Sequence, residues 1–335
     1  MSCNYLFYRS LSTSIGGKLL FLAATMLMGG TLRAQISVEQ YPAKPVRIVT
    51  AQGAGGSADV QARLFAGKLS ESLGKQFVVD NRPGLPVALP IVATAAADGY
   101  TLLTVLPDFT FAPALYKTLP ADPIRDFAPI SLVSRAPYLL TVYPLLPAKS
   151  VKELIVLAQA QPGKLNFGGG LSGAGTHLVA IWFLSLARIK AVYVPYKGGV
   201  AQATVDLVAG QIDAGFSTGS TITHIKSGRL RALGISTAQR STLLPDIPTI
   251  AEQGVPGFNA STFHGFAAPA GTPAAIIHKL SLEFARAAKL PEVADRLRAD
   301  NSDPMGSTPE QFRQFIADEV PRWRKLVQDS GISIH

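Results

Sequence analysis

Two glycine-rich strings are the residues best suited to chemistry that needs no charged side chain. Gly53-Ala54-Gly55-Gly56-Ser57 follows Val46-Arg47-Ile48-Val49-Thr50, which reads as a strand, and precedes a helical pattern. Gly168-Gly169-Gly170-Leu171-Ser172-Gly173-Ala174-Gly175 follows another short apolar run and opens into a helix expected near Thr176. The first N–H groups of a helix have no internal acceptor, and the helix dipole places partial positive charge on them. Such an end attracts an anion, and glycine lets the backbone approach it closely. Gly53, Ala54, Gly55 and Gly56 in the first turn, and Gly169, Gly170 and Gly173 in the second, are thus candidate carboxylate contacts. Ser57, Ser172 and Thr176 can add hydroxyl donors. The plainer alternative is that both strings only connect strand to helix, which any α/β protein requires.

Two sharper chemistries compete for the same small residues. Gly53-x-Gly55-x-x-Ala58 after a strand, with Asp80 at the end of the next one, matches a dinucleotide-binding fingerprint. Gly215-Phe216-Ser217-Thr218-Gly219 matches a nucleophile elbow, and Asp246 and His264 follow in hydrolase order. That reading makes the chain an exported esterase, provided Ser217 and His264 come within hydrogen-bond reach. The histidines His177, His224, His264, His278 and His335 show no metal-ligand spacing, so no metal and no cofactor is expected.

These turns must be held by the elements around them. Short apolar runs alternate with helical patterns, the signature of an α/β protein with parallel sheets. Strands are expected at residues 46–50, 76–79, 101–105, 138–142 and 164–167, and helices at 59–73 and 151–160. The series restarts near Tyr138, so the turn device occurs once in each half. About 300 residues beyond the leader exceed one ordinary domain and predict two.

That leader is read from Arg9 and Lys18, the uncharged stretch from Leu19 to Leu32, and Ala34. A basic segment, an apolar run of about 7–15 residues and a small residue at the cut describe a signal peptide, here residues 1–34. A membrane span would need about 20 apolar residues. The only cysteine, Cys3, lies within this segment, so the exported chain is expected to carry neither disulfide nor thiol nucleophile. The net charge is +9, and the loss of Arg9, Lys18 and Arg33 with the leader lowers it to +6. Scattered basic residues without an aromatic platform favour anionic solutes and exclude a nucleic-acid partner.

From Tyr41 almost to the carboxyl end the chain resembles the Bug, or tripartite tricarboxylate receptor (TctC-like), family of extracytoplasmic solute-binding proteins. Tyr41-Pro42-x-Lys44-Pro45-Val46-Arg47, Asn81-Arg82-Pro83-Gly84, Asp98-Gly99-Tyr100-Thr101-Leu102 and Asp126-Phe127-Ala128-Pro129-Ile130 carry the likeness. Gly175-Thr176-His177-Leu178, Val194-Pro195-Tyr196-Lys197-Gly198, Gly210-Gln211-Ile212-Asp213, Leu244-Pro245-Asp246-Ile247-Pro248 and Ala268-Pro269-Ala270-Gly271-Thr272-Pro273 complete it.

The resemblance implies a type II periplasmic binding fold, with lobe 1 formed by residues 41–139 plus 262–335 and lobe 2 by 140–261. It implies contact loops at 51–59 and 168–176, which adds Gln52 to the candidate site. It also makes residues 215–219 a cleft-side loop, which adds Ser217. A periplasmic monomer that binds a small carboxylate follows, without catalysis, by closure about residues 138–144 and 261–267. Membrane permease subunits or a sensor kinase are the implied partners. Three departures from relatives fall near the cleft: Ala51-Gln52-Gly53 replaces Pro-Phe-Pro, Leu85-Pro86-Val87 replaces Ala-Gly-Gly, and Ser217 stands where several relatives carry Asp. A valine in place of Gly56 is expected to obstruct the ligand.

Overall fold

The computed structural model describes residues 40–330. The expected leader, the one cysteine and residues 331–335 lie outside them. Eleven strands are described, and they form two sheets.

The first sheet has the order β11-β4-β10-β3-β1-β2. It consists of β1 (Val46–Thr50), β2 (Phe77–Asn81), β3 (Thr101–Val105), β4 (Phe127–Pro137), β10 (Ser261–Pro269) and β11 (Asp303–Pro304). The central β1 is parallel to both β2 and β3, with Ile48 opposite Val79 and Leu102. Strand β10 runs antiparallel between β3 and β4. The second sheet has the order β7-β6-β8-β5-β9. Its members are β5 (Leu139–Val142), β6 (Asn166–Gly169), β7 (Val192–Pro195), β8 (Ala214–Ser217) and β9 (Arg231–Ile235).

Helix α1 (Ser57–Leu73) follows β1 and buries Ala58, Ala62, Phe65, Ala66 and Leu69, a stripe at helical spacing. It ends at Gly74, whose φ of +68° suits a residue without Cβ. Phe65, Phe266 and Phe284 pack together beneath it. Helices α2 (Leu85–Ala93) and α3 (Pro107–Leu115) follow β2 and β3, each with proline in its first turn, where a missing N–H leaves no acceptor unserved. In the second half, helix α4 (Val151–Ala160) starts at Ser150, whose side chain accepts from Glu153 N. Helix α5 (Gly175–Leu186) follows β6, and its Trp182 and Phe183 join Phe167, Phe216 and Phe258 in a second core.

The chain passes between the sheets at Tyr138 and again between Ile235 and Ser261. The two passages are hydrogen-bonded to each other. Buried Ser236 accepts at Oγ from Tyr138 N (2.8 Å) and donates to Ala260 O (2.7 Å). Its backbone N–H donates to Tyr138 O, and its carbonyl accepts from Ala260 N. The carboxyl-terminal helix α6 (Pro309–Ser330) reaches Trp323 into the second core, where it meets Phe111 of α3 at 4.1 Å and Trp182 at 5.6 Å between ring centroids.

Most expected elements fall where the sequence places them, with one informative shift. Strand β6 runs to Gly169 rather than ending at 167. Gly168 faces Gly215 across the β6–β8 pair. A Cβ on Gly215 would lie 2.5 Å from Gly168 O, so these glycines serve close strand packing as well as the turn.

Candidate ligand-binding site

The first turn leaves the carboxyl end of β1 and enters α1. Gly53, Ala54 and Gly55 are exposed, and Gln52, Gly56 and Ser57 are partly so. Gly55 has φ of +80° and Gly56 N–H donates to Gly53 O at 3.2 Å, a tight turn that requires glycine at 55. Asp59, buried on α1, accepts from Gly55 N (2.9 Å), Asn81 Nδ2 (2.9 Å) and Arg63 (2.9 Å). Burial alone would raise its pKa; the bonds from Arg63, Gly55 and Asn81 outweigh that and hold the carboxyl below its usual range. Asn81 also donates to Gln52 O at 3.0 Å, and Gly84 N to Ala51 O at 2.8 Å. The Asn-Arg-Pro-Gly string after β2 is thus the brace of the turn.

Gln52 has a structural role. The N-cap of α1 is Gly56, which has no side chain to cap with, and Gln52 Oε1 fills that role by accepting from Ala58 N at 3.0 Å. The same oxygen lies 3.5 Å from Ser57 Oγ. A Cβ on Gly56 would meet Gln52 Oε1 at 2.8 Å and Gly53 O at 3.2 Å. A side chain at 56 would thus first displace the capping glutamine.

The second turn is more enclosed. Gly169, Gly170, Gly173 and Thr176 are buried, whereas Leu171 and Ser172 are exposed. Thr176 Oγ1 accepts from Gly170 N at 2.9 Å, and Tyr193 donates to Gly170 O at 2.8 Å. His177 Nδ1 accepts from Gly173 N at 3.0 Å, a bond that requires an unprotonated Nδ1. Burial lowers the His177 pKa in keeping with this. Helix α5 has no side-chain cap at Ala174, which leaves Gly175, Thr176 and His177 with the uncapped amides of its first turn. Gly175 lies against the passage at Tyr138 and against α3: a Cβ there would stand 2.5 Å from the Tyr138 hydroxyl and 3.7 Å from Phe111 Cε2.

Ser217 is buried at the end of β8. Its hydroxyl meets Thr221 Oγ1 at 2.8 Å and Leu139 O at 3.3 Å. The hydrolase reading fails on this geometry. His264 is buried in β10 with Nε2 3.3 Å from Ser57 and Nδ1 3.3 Å from Ser134, while Asp246 is exposed in its loop. The dinucleotide reading fails too, because Asp80 is engaged by Arg47 and Arg82 and Gln52 occupies the Ala58 amide. Sequence reasoning gave His264 a different partner, and it missed a second ionisable group, Asp108. Asp108 lies in the first turn of α3, and burial pushes its carboxyl up to about 6. Burial pulls His264 down to about 4. Nothing in local spacing marks either one; only the meeting of β10 with α1, and of α3 with its surroundings, does.

A family model described as the tripartite tricarboxylate transporter family receptor, TctC, matches residues 61–332. The Bug protein BugT of Bordetella pertussis is 35% identical over 322 residues, covering 95% of this chain and 98% of its own. Among solved structures, R. palustris Rpa4515 with adipate superposes with a TM-score of 0.83 at 33% identity, over 88% of this chain and 99% of that one. The periplasmic binding protein BugD gives 0.81 at 30% identity, over 88% and 99%. MatC from Rhodopseudomonas palustris with bound malate gives 0.79 at 28%, over 86% and 100%. Two sheets joined by paired crossings, with glycine-lined helix starts at their strand ends, are thus the two-lobed fold of solute-binding receptors rather than of an enzyme, and the chain belongs to the tripartite tricarboxylate transporter receptor family.

Proposed function

We propose that the protein is an exported receptor that seats one small carboxylate between the turns at 51–59 and 168–176. The observation that carries this reading is the pair of helix starts that still offer amides: at α1 Gln52 takes the Ala58 amide but those of Ser57 and Asp59 have no acceptor among the described residues, and α5 offers those of Gly175, Thr176 and His177. Gly53, Ala54, Gly55, Gly56 and Ser57 form one side, with Gln52 beside them holding the Ala58 amide, and Gly169, Gly170, Ser172, Gly173 and Thr176 form the other. Backbone amides at a helix start hold a carboxylate without an arginine clamp. Adipate and malate in the two solved relatives support the ligand class. Ser217, buried in its own hydrogen bonds, acts through the shape of the 217–221 loop.

The lobes in this reading are 41–139 with 262–335, and 140–261, and the ligand stabilises their closed arrangement through contacts made only there. Removal of residues 1–34 delivers the chain to the periplasm as a monomer, where it serves a membrane permease or a sensor kinase. Among the described residues no helix is long and apolar enough to cross a membrane.

A thermal-shift screen of purified protein against mono-, di- and tricarboxylates tests the reading. A ligand at 100 times its dissociation constant adds about 2.7 kcal/mol, a rise of several degrees. If no carboxylate raises the melting temperature, the receptor assignment of this site is wrong.

A further inference from the structure

Behind the first turn lies a chain of buried polar groups that no charged residue explains. Gln61 of α1, Ser134 of β4 and His264 of β10 are all at least nine-tenths buried. Ser134 Oγ donates to Gln61 Oε1 at 2.7 Å, Ser134 Oγ and His264 Nδ1 are 3.3 Å apart, and His264 Nε2 is 3.3 Å from Ser57 Oγ. The path runs from the core to the one hydroxyl of the first turn.

Each member carries a limited number of hydrogens, so the direction of one bond sets the others. The short Ser134–Gln61 bond uses the only hydrogen of Ser134, which leaves Ser134 Oγ an acceptor. A neutral His264 must then carry its hydrogen on Nδ1 to bond Ser134, and bare Nε2 accepts from Ser57. In this arrangement Ser57 turns its hydrogen inward and shows lone pairs to the cleft, which repel a carboxylate. Rotation of the Gln61 amide by half a turn reverses every bond. Gln61 Nε2 donates to Ser134, Ser134 donates to Nδ1, Nε2–H donates to Ser57, and the Ser57 hydrogen turns outward, where the ligand competes for it only with Gln52 Oε1 at 3.5 Å. The ring gains one proton at Nε2 and releases one from Nδ1, with no net uptake.

We propose that the Gln61–Ser134–His264 chain decides whether Ser57 gives or takes a hydrogen at the cleft, and that a carboxylate seated on Ser57 reverses it, switching His264 from the Nδ1–H to the Nε2–H tautomer. His264 is then a positioning residue for recognition, and the resting direction disfavours carboxylates until one binds tightly enough to turn it. The inference rests on the receptor reading above for its ligand, but its account of the free protein does not.

Nitrogen-15 spectra of the histidine rings at pH 7 test it, with His264→Gln identifying the signals by difference. The free protein is expected to show protonated Nδ1 and bare Nε2 at His264. Saturation with adipate or malate, whichever raises the melting temperature, is expected to exchange the two. Ser57→Ala should weaken that ligand about tenfold, the worth of one hydrogen bond to a charged group. Ser134→Ala should abolish the Nδ1–H preference in the free protein and tighten binding of that ligand, because no reversal is then required; weaker binding would overturn the proposal. A free protein already in the Nε2–H form, or a loaded one that keeps Nδ1–H, overturns the proposal; a packing role alone leaves the ring unchanged on loading. If no carboxylate binds, the receptor reading fails and the reversal with it, while the free spectrum still decides the resting direction.

Discussion

Lowering the pH from 7 to 5 moves two buried groups against each other. His264 has its pKa pulled from the usual 6.5 to about 4 by burial alone. The unfolded chain therefore binds more protons than the folded one between these values, and stability falls as pH falls through that window. At about 1.4 kcal/mol per unit the full loss is about 3 kcal/mol, of which about 2 kcal/mol has appeared by pH 5. Asp108, raised from 3.8 to about 6, works the other way. Its folded form binds the extra proton, so acidification relieves a burdened carboxylate and returns about 1 kcal/mol by pH 5, a ceiling because part of the side chain meets solvent. The wild type should thus lose about 1 kcal/mol between pH 7 and 5, Asp108→Asn about 2 kcal/mol, and His264→Gln should gain about 1 kcal/mol. Urea unfolding followed by Trp182 and Trp323 fluorescence at both pH values measures all three. His177, also lowered by burial, contributes the same loss to every variant, so the differences between variants carry the test. Equal pH dependence in wild type and His264→Gln would refute a buried, neutral ring.

Gln52→Ala should tighten carboxylate binding several-fold while costing about 1 kcal/mol of stability, because Gln52 Oε1 occupies the Ala58 amide that a ligand oxygen would use; weaker binding in calorimetry would make Gln52 a ligand contact instead of a competitor. Gly53→Ala should leave the melting temperature unchanged, since a Cβ there meets nothing within 4 Å, whereas Gly168→Ala, which drives a Cβ into Ile212, should lower it by at least several degrees. Similar melting temperatures for the two would remove the close-packing argument for the β6–β8 pair.

Much of the frame was legible because its signals are local. Apolar runs marked β1 and β3 to the residue, and the helical pattern from Val151 to Ala160 marked α4. The glycines after β1 and β6 marked both helix starts. Glycine was also the source of the main displacement: read as turn, Gly168 and Gly169 are strand residues whose missing side chains admit Ile212, Tyr193 and Thr176. The role of Gln52 was hidden because a cap six residues before its amide follows from the path of the turn, not from spacing. His264 was noticed as a partner for Ser217, 47 positions away, and the fold instead delivers it to Ser57, 207 positions away. That encounter is set by β10 entering the first sheet beside β4, a long-range pairing that no window of sequence contains.

Ser236 joins both passages between the sheets with four hydrogen bonds within a few residues. Two ribbons fastened at one point cannot bend independently, so whichever way one yields, the other must follow. The fastening acts like the screw of a pair of shears, holding both ribbons to one point beside Tyr138.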